Sequence, residues 1–359
     1  MRVLLYTTSF TERRGGVEKR YCLVANELVS RGHSVRVLCA RDKSVPRPRF
    51  PLDPAVEVHF AKVERESIAP LLREFRPEAV IATSGRKTEA LLGQLAGSGA
   101  RIVITEQQPP EVTARQAGSP AGRERILQRA DCIHLLMPSF AATVPESLRS
   151  RVVVIPNHCD LPDVAAEPSG GASPDGRLRV AYLGRLDFRQ KRPQLLISAF
   201  GQMSRRHPDW DLWMWGEPHD RRTALRLHAQ VLLSGLRNRV YLAGPTDNVA
   251  GSLANCHLYV MPSSYESFGQ SLIQAMAAGL PCVGFAGCPA VNELIVDGTT
   301  GVLVPGAGDA ATLAGALDQL MGDPALRVRL GAGARAAAQA YTYQRFIHCW
   351  MSALGLPPD

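Results

Sequence analysis

Met261-Pro-Ser-Ser-Tyr-Glu-Ser-Phe-Gly-Gln-Ser-Leu-Ile-Gln-Ala-Met-Ala-Ala-Gly-Leu-Pro-Cys-Val-Gly284 is the stretch whose reading decides the fold. The apolar run Leu258-Tyr-Val-Met261 stops at Pro262, as a buried parallel strand does, and a polar loop with a single acid, Glu266, follows. Phe268, Leu272, Ile273, Met276 and Leu280 then recur at helical spacing until Gly279-Leu-Pro281 ends the helix before the strand Cys282-Val-Gly-Phe285. The unit is strand, loop, helix, strand, and in open parallel sheets ligands sit at the carboxyl ends of the strands. The helix start from Ser267 to Ser271 offers backbone N–H groups and a positive dipole end to a phosphate. Glu266 suits sugar hydroxyls better than phosphate, so the pair of features fits a nucleotide sugar.

The same alternation extends outward on both sides. Val3-Leu-Leu-Tyr6, Val35-Arg-Val-Leu-Cys39, the run from Val56 to Ala61, Ala79-Val-Ile-Ala82, Ile102-Val-Ile104, Cys132-Ile-His-Leu-Leu136 and Val152-Val-Val-Ile155 read as strands. Helical stripes lie between them: Tyr21 to Val29, capped by Gly32; Ile68 to Phe75; and Leu91 to Leu95. Pro109, Pro110, Gly118, Pro120 and Gly122 predict a mobile loop from Gln107 to Gly122. Strands separated by helices argue for a parallel, doubly wound sheet. The Pro- and Gly-rich residues 161–176 break the pattern and read as a linker between domains at 1–160 and 177–342. Beyond it come strands at Leu178 to Tyr182, Leu212 to Trp215 and Val240 to Leu242, and helices at Leu195 to Met203, Arg221 to Leu233, Leu313 to Met321 and Leu326 to Tyr341. Residues 343–359 open with an amphipathic segment carrying Phe346, Cys349 and Trp350 on one side. A length of 359 residues exceeds one ordinary core, which agrees with two domains.

Apolar residues make up 45% and charged residues 21%, the balance of a soluble globular protein, and no run of about 18 uncharged apolar residues predicts a membrane span. The apolar part of Met1-Arg-Val-Leu-Leu-Tyr6 is too short for a signal-peptide core, so a cytoplasmic protein is expected. The eight cysteines show no CxxC spacing and read as reduced, buried thiols. Residues 1–160 hold 24 Lys and Arg against 17 Asp and Glu, so nearly all of the net charge of +8 belongs to the first half. That excess suits an anionic partner, such as a phosphorylated acceptor or the inner face of a membrane. Nucleic acid is disfavoured, because no aromatic ladder or recognition motif accompanies the basic residues.

Two further stretches bear on chemistry. Gly15-Gly16-Val17-Glu18 falls between the first strand and helix, where glycines let the backbone approach a ligand; Arg13, Arg14, Lys19 and Arg20 beside it suit an acceptor phosphate or lipid headgroups. Gly184-Arg-Leu-Asp-Phe-Arg-Gln-Lys-Arg-Pro193 follows a strand and opens a helix, with Arg189 and Arg192 read as surface charge. Asp209-Trp-Asp211 has the DxD form of a metal site, but it leads into a strand, and His207, His219, His228 and His257 lack ligand spacing, so no metal is expected.

Taken together, the stretch from Glu266 to Gln274, Gly184-Arg185 with Lys191 six residues on, and Gly15-Gly16 followed by Arg31-Gly-His-Ser-Val35 resemble the retaining glycosyltransferases of family 4. The resemblance spans nearly the whole chain and implies a GT-B architecture, two Rossmann-like α/β domains facing a central cleft, with the final segment crossing back to the first domain. It implies that Arg185 and Lys191 neutralise a donor diphosphate without metal. Glu266 would face the transferred sugar, while Gly15, Gly16, Gly184, Phe268, Gly269, Gln270 and Ser271 would line the donor. The family's second acid, separated from the first by seven residues, is Gln274 here; an amide still bonds ribose hydroxyls, at roughly half the strength of a charge-assisted bond. Glu106 stands after a strand where many members place a His beside the sugar; it either binds sugar hydroxyls or assists the reaction, or is a solvated loop carboxylate. Pro156-Asn-His-Cys-Asp160 resembles the family's PNGVD with His158 in place of Gly, read as structural or hinge-related. The implied reaction moves a sugar from a nucleoside diphosphate to a hydroxyl of a glycan or lipid-linked acceptor in cell-surface polysaccharide or glycolipid assembly, with no other cofactor. A nucleotide-sugar epimerase or hydrolase, and a non-catalytic nucleotide-sugar-binding module, are the alternatives.

Overall fold

Val3, Leu4, Leu5 and Tyr6 have no exposed surface, so the strand that carries them is covered on both faces. Near-continuous apolar runs of this kind form parallel sheets sandwiched by helices, and each such buried aliphatic side chain stabilises by about 1.5–3 kcal/mol. The computed structural model describes residues 1–7, 16–40, 50–162, 165–169, 176–306 and 308–357. The chain forms two units: Met1–Asn157 with Gln344–Asp359, and His158–Tyr343.

The first unit runs β1 (Arg2–Thr7), α1 (Gly16–Ser30), β2 (Ser34–Cys39), β3 (Glu57–Phe60), α2 (Ala69–Phe75), β4 (Ala79–Thr83), α3 (Arg86–Gln94), β5 (Arg101–Glu106), α4 (Pro110–Gln116), α5 (Pro120–Gln128), β6 (Cys132–Leu135) and β7 (Val152–Val154). Its seven strands pair in parallel in the order β3-β2-β1-β4-β5-β6-β7. Chain direction across the sheet reverses between β1 and β4, the switch point at which doubly wound sheets bind ligands.

The second unit runs β8 (Leu178–Leu183), α6 (Pro193–Met203), β9 (Trp210–Trp215), α7 (Arg221–Leu233), β10 (Val240–Gly244), α8 (Val249–Ala254), β11 (Leu258–Met261), α9 (Gln270–Ala277), β12 (Cys282–Phe285), α10 (Val291–Leu294), β13 (Gly301–Val304), α11 (Ala310–Gly322) and α12 (Pro324–Ala338). Its six parallel strands follow the order β10-β9-β8-β11-β12-β13, with the switch point between β8 and β11. The last helix, α13 (Tyr343–Leu354), belongs from Gln344 onward to the first unit: the Trp350 ring lies tilted against His134 of β6 at 4.7 Å, and Arg101 Nε donates to the Ala353 carbonyl at 2.9 Å.

The structure corrects the expectation of a mobile loop from Gln107 to Gly122, which instead holds α4 and the start of α5. Pro110 and Pro120 occupy first-turn positions, where the missing N–H costs nothing, and Ser119 caps α5 by accepting from Gly122 N at 3.0 Å. Gly118, at φ +91°, makes the turn between the two helices. The strand β13 and helices α8 and α10 are additions to the elements read from sequence.

Among the described residues no helix is long and apolar enough to cross a membrane. All eight cysteines are free, and all but Cys349 are buried. Burial pushes the Cys132 thiol up to about 11 and those of Cys22, Cys256 and Cys288 up to about 12.

Candidate active site

At the switch point of the second unit, the loop after β8 and the loop after β11 are fastened to one another. Gln190 O accepts from Ser264 N at 2.8 Å, and Ser264 Oγ donates to the Arg189 carbonyl at 2.9 Å. Arg192 donates to the carbonyls of Pro262 and Ser263, both at 2.9 Å, with its guanidinium 5.1 Å from the Phe285 ring centroid. This overturns its reading as surface charge. Arg192 also sits in the left-handed region (φ +47°), a strain of about 1–2 kcal/mol that its side-chain bonds offset. Arg189 is exposed, as the sequence predicts.

Between these loops Lys191 Nζ donates to Glu266 Oε1 at 2.6 Å, and Ser263 Oγ donates to the same oxygen at 2.6 Å. Glu266 is 5% exposed, so its carboxylate is matched by a cation and a hydroxyl inside the fold. No described residue bonds Glu266 Oε2, which leaves one carboxylate oxygen free to accept. Two residues assigned separately, one to diphosphate and one to sugar, are thus direct partners. Gly184 lies beneath the Lys191 stem: a Cβ there would lie 3.7 Å from Lys191 Cε.

Arg185 is exposed and points along the same loop, with Nη2 3.2 Å from Gln190 Oε1 and 3.9 Å from Asp187 Oδ2. Gln190 Nε2 in turn donates to the Tyr265 carbonyl at 3.3 Å, so Arg185 and Glu266 share one loop cluster. Burial opposes ionisation of Asp187, yet the backbone N–H groups of Gln190 and Arg189, with the Arg185 charge, hold its carboxyl below the usual range.

The first turn of α9 completes the cluster. Gly269 precedes it at φ +84°, a conformation glycine adopts without a Cβ penalty, and no side chain caps the helix. Ser271 Oγ is 2.8 Å from the Tyr259 hydroxyl, so this side chain turns toward the sheet. Phe268 is buried against Tyr341 at 5.7 Å, Gln270 Nε2 donates to the His158 carbonyl at 2.9 Å, and Gln274 is half-buried. Phe268 and Gln270 therefore spend their side chains on packing and on the backbone of residue 158. His158 itself stands edge-on to Tyr343 at 5.4 Å.

Asp211 lies within β9, where Arg177 reaches it at 2.6 Å and Arg239 at 3.1 Å. Its carboxylate is engaged by two guanidiniums inside the fold. Among the described residues no group of three or more His, Cys, Asp or Glu could hold a metal ion.

In the first unit, a cavity of about 510 Å³ opens where β1, β4 and β5 end, lined by Thr7, Glu18, Thr83, Ser84, Glu106 and Gln107 among others. Gly15, Arg13 and Arg14 lie outside the described residues; Gly16 opens α1 and Lys19 is exposed on it. Arg20, predicted to face an external phosphate, turns inward to donate to Gln107 Oε1 at 2.9 Å, and burial lowers its guanidinium to about 10. Glu106 is the last residue of β5, 1% exposed, and not a solvated loop carboxylate. Arg123 grips it with two bonds, of 2.8 and 2.7 Å, and bonds Thr143 as well. Neither Arg123 nor Ser263 stands out in sequence, because each is defined by a partner on another element.

Comparison with known proteins agrees with this architecture. A model of glycosyl transferases group 1 matches residues 164–337, and a glycosyl transferase 4-like domain matches residues 15–158. An exopolysaccharide phosphotransferase of Streptomyces coelicolor is 28% identical over 83% of this chain and 31% of its own length. A phosphatidyl-myo-inositol mannosyltransferase of Mycobacterium leprae is 32% identical over 55% of this chain and 52% of its own. The chain thus spans about a third to a half of these curated relatives. Among solved structures, Anabaena HepE in complex with UDP and glucose superposes with a TM-score of 0.78 at 18% identity, covering 99% of both chains. A sucrose-phosphate synthase from Thermosynechococcus elongatus gives a TM-score of 0.81 at 20% identity, over 99% of this chain and 98% of that one. With two parallel Rossmann-like units and both family models matched along its length, the chain belongs to the group 1, family 4-like glycosyltransferases of GT-B fold.

Proposed function

We propose that the protein transfers a sugar, with retention and without a metal, from a nucleoside diphosphate to a hydroxyl of a glycan or lipid-linked acceptor. The observation that carries this reading is the loop cluster of the second unit, where Arg185, Lys191, Glu266 and the uncapped start of α9 lie together at a switch point. Arg185, Lys191 and the α9 amides would take up the charge of the departing diphosphate, which a metal supplies elsewhere. Glu266 would keep Lys191 aimed through Oε1 and accept a sugar hydroxyl on Oε2. Gln274 would bond the ribose, and Gly15 and Gly16 would let the backbone approach the diphosphate. The acceptor hydroxyl would attack on the face the diphosphate leaves, giving up its proton to the leaving phosphate. The cavity of the first unit is assigned to the acceptor, with the Glu106–Arg123 pair shaping its wall.

The relatives support the acceptor class: one is named a phosphatidyl-myo-inositol mannosyltransferase and another a lipopolysaccharide core mannosyltransferase. The test is a mass-spectrometric screen of nucleotide sugars for binding, then an acceptor screen with the best donor in EDTA. Arg185→Ala and Lys191→Ala should each cut transfer by roughly 10²-fold or more. Unchanged rates would reject the assigned roles, and stoichiometric donor turnover without acceptor would favour a hydrolase or epimerase.

A further inference from the structure

The second half of the chain is nearly neutral overall, but that balance hides a segment of one sign. From residue 221 to residue 246 there are five arginines and no acid. Arg221, Arg222 and Arg226 lie on α7, and Arg237 follows in the turn toward β10. All four are exposed, and none takes part in an ion pair among the described residues. The fifth, Arg239, is the one already engaged by Asp211.

The same helix carries three of the five large exposed apolar side chains among the described residues: Leu225 at 62%, Leu232 at 62% and Leu233 at 87%. Thr223, Leu227 and Val231 take the opposite side into the core, so α7 is already anchored without these leucines. At about 100° per residue, Leu225, Ala229 and Leu232 fall along the middle of the outer face, with Arg222, Arg226 and Leu233 on one flank and Arg221 on the other. The nearest acid in sequence, Asp220, is occupied as the cap of the helix, accepting from Thr223 N at 2.7 Å.

We propose that the outer face of α7 is a docking surface for an anionic lipid bilayer. An apolar strip flanked by unpaired cations lies in the headgroup plane, where leucines enter the acyl boundary and arginines meet phosphates. A second copy of the chain is a poor occupant, because a two-fold contact would set four unpaired guanidiniums against four others. This surface belongs to the second unit, and none of its residues is among those of the basic first half.

The test is co-sedimentation of the full chain with vesicles of phosphatidylcholine alone, or of equal parts phosphatidylcholine and phosphatidylglycerol. The protein should pellet only with the phosphatidylglycerol vesicles and be released by high salt. Arg222→Glu with Arg226→Glu, and separately Leu225→Ser with Leu232→Ser and Leu233→Ser, should each weaken binding by at least about tenfold with unchanged thermal melting. Failure of the wild type to bind at low salt would overturn the proposal. So would variants that bind as tightly as the wild type, which would move the contact to the basic first half. A dimer in analytical ultracentrifugation that the leucine variant abolishes would make the face a self-association surface instead and overturn it as well.

Discussion

Lys191 Nζ stands 2.6 Å from Glu266 Oε1, joining two residues 75 positions apart on loops that leave neighbouring strands. The pair replaces the picture of a free cation and a free carboxylate, each waiting for its own part of a donor. Glu266 is almost fully buried, so its charge depends on Lys191 and Ser263 whether or not a ligand is bound. On the proposed reading, positioning and donor binding reside in the same two side chains.

Removing Lys191 should consequently cost stability as well as transfer. Lys191→Met leaves a buried carboxylate without its cation and should destabilise by roughly 3 kcal/mol. The double variant with Glu266→Gln should recover part of that loss, since no charge is then stranded. Urea unfolding of the wild type, both single variants and the double gives the coupling directly; additive losses would show that the pair is not energetically linked.

Glu106 and Arg123 make the corresponding pair in the first unit, at 1% and 7% exposure. Glu106→Ala strands a buried guanidinium and should cost roughly 3–5 kcal/mol, read as a drop in the unfolding midpoint. Glu106→Gln should cost less, because the amide still accepts from Arg123. If Glu106→Gln keeps the wild-type midpoint yet abolishes transfer, Glu106 is a reacting group and not a wall of the proposed acceptor cavity.

Gly216 ends β9 against the turn that begins the candidate site. A Cβ there would lie 1.9 Å from the Gly184 carbonyl oxygen and 2.7 Å from its carbon, so Gly216→Ala must push the β8 end aside. The expected cost is about 3 kcal/mol, together with weakened donor binding, because Gly184 underlies Lys191. Calorimetric melting and a donor-binding titration check both parts, and wild-type values in both would deny the close approach.

His134 should give the fold a dependence on mildly acidic pH. Burial pushes its imidazole from 6.5 down to about 4, the ring lying 2.7 Å from Thr105 Oγ1 and 2.9 Å from the Ile155 carbonyl. Between those two pH values the unfolded chain binds a proton that the folded ring refuses, so stability falls as pH drops through the window and is fully present above 6.5. Between pH 7 and pH 5 the loss should be roughly 2 kcal/mol. Denaturation of the wild type and of His134→Gln at both pH values tests this; equal losses would place the effect elsewhere.

Much of this architecture was legible because buried parallel strands read as uninterrupted apolar runs. Val3 to Tyr6 and Leu258 to Met261 needed only hydrophobicity and a following breaker to be placed. The segment from Gln107 to Gly122 misled because proline signals both a loop and a helix start, and only the Ser119 cap and the following turns distinguish them. At the site, Glu266 was marked by its place in the loop after a strand, and Gly184, Arg185 and Lys191 by their resemblance to the family's pattern. The Lys191–Glu266 bond, the Arg192 staple and the inward turn of Arg20 were not, since each is fixed by a partner distant in sequence.

The return of α13 has a consequence for how the protein comes to be folded. The aromatic contact of Trp350 with His134, and the bond from Arg101 to the Ala353 carbonyl, complete a unit whose other strands are translated before the whole of the second unit. On the ribosome the earlier Rossmann layer must therefore wait, with the seam around β5 and β6 uncovered, while a complete neighbour is synthesised. Exchanging the N-terminal half between homologous enzymes will leave that seam mismatched unless the distant helix travels with it.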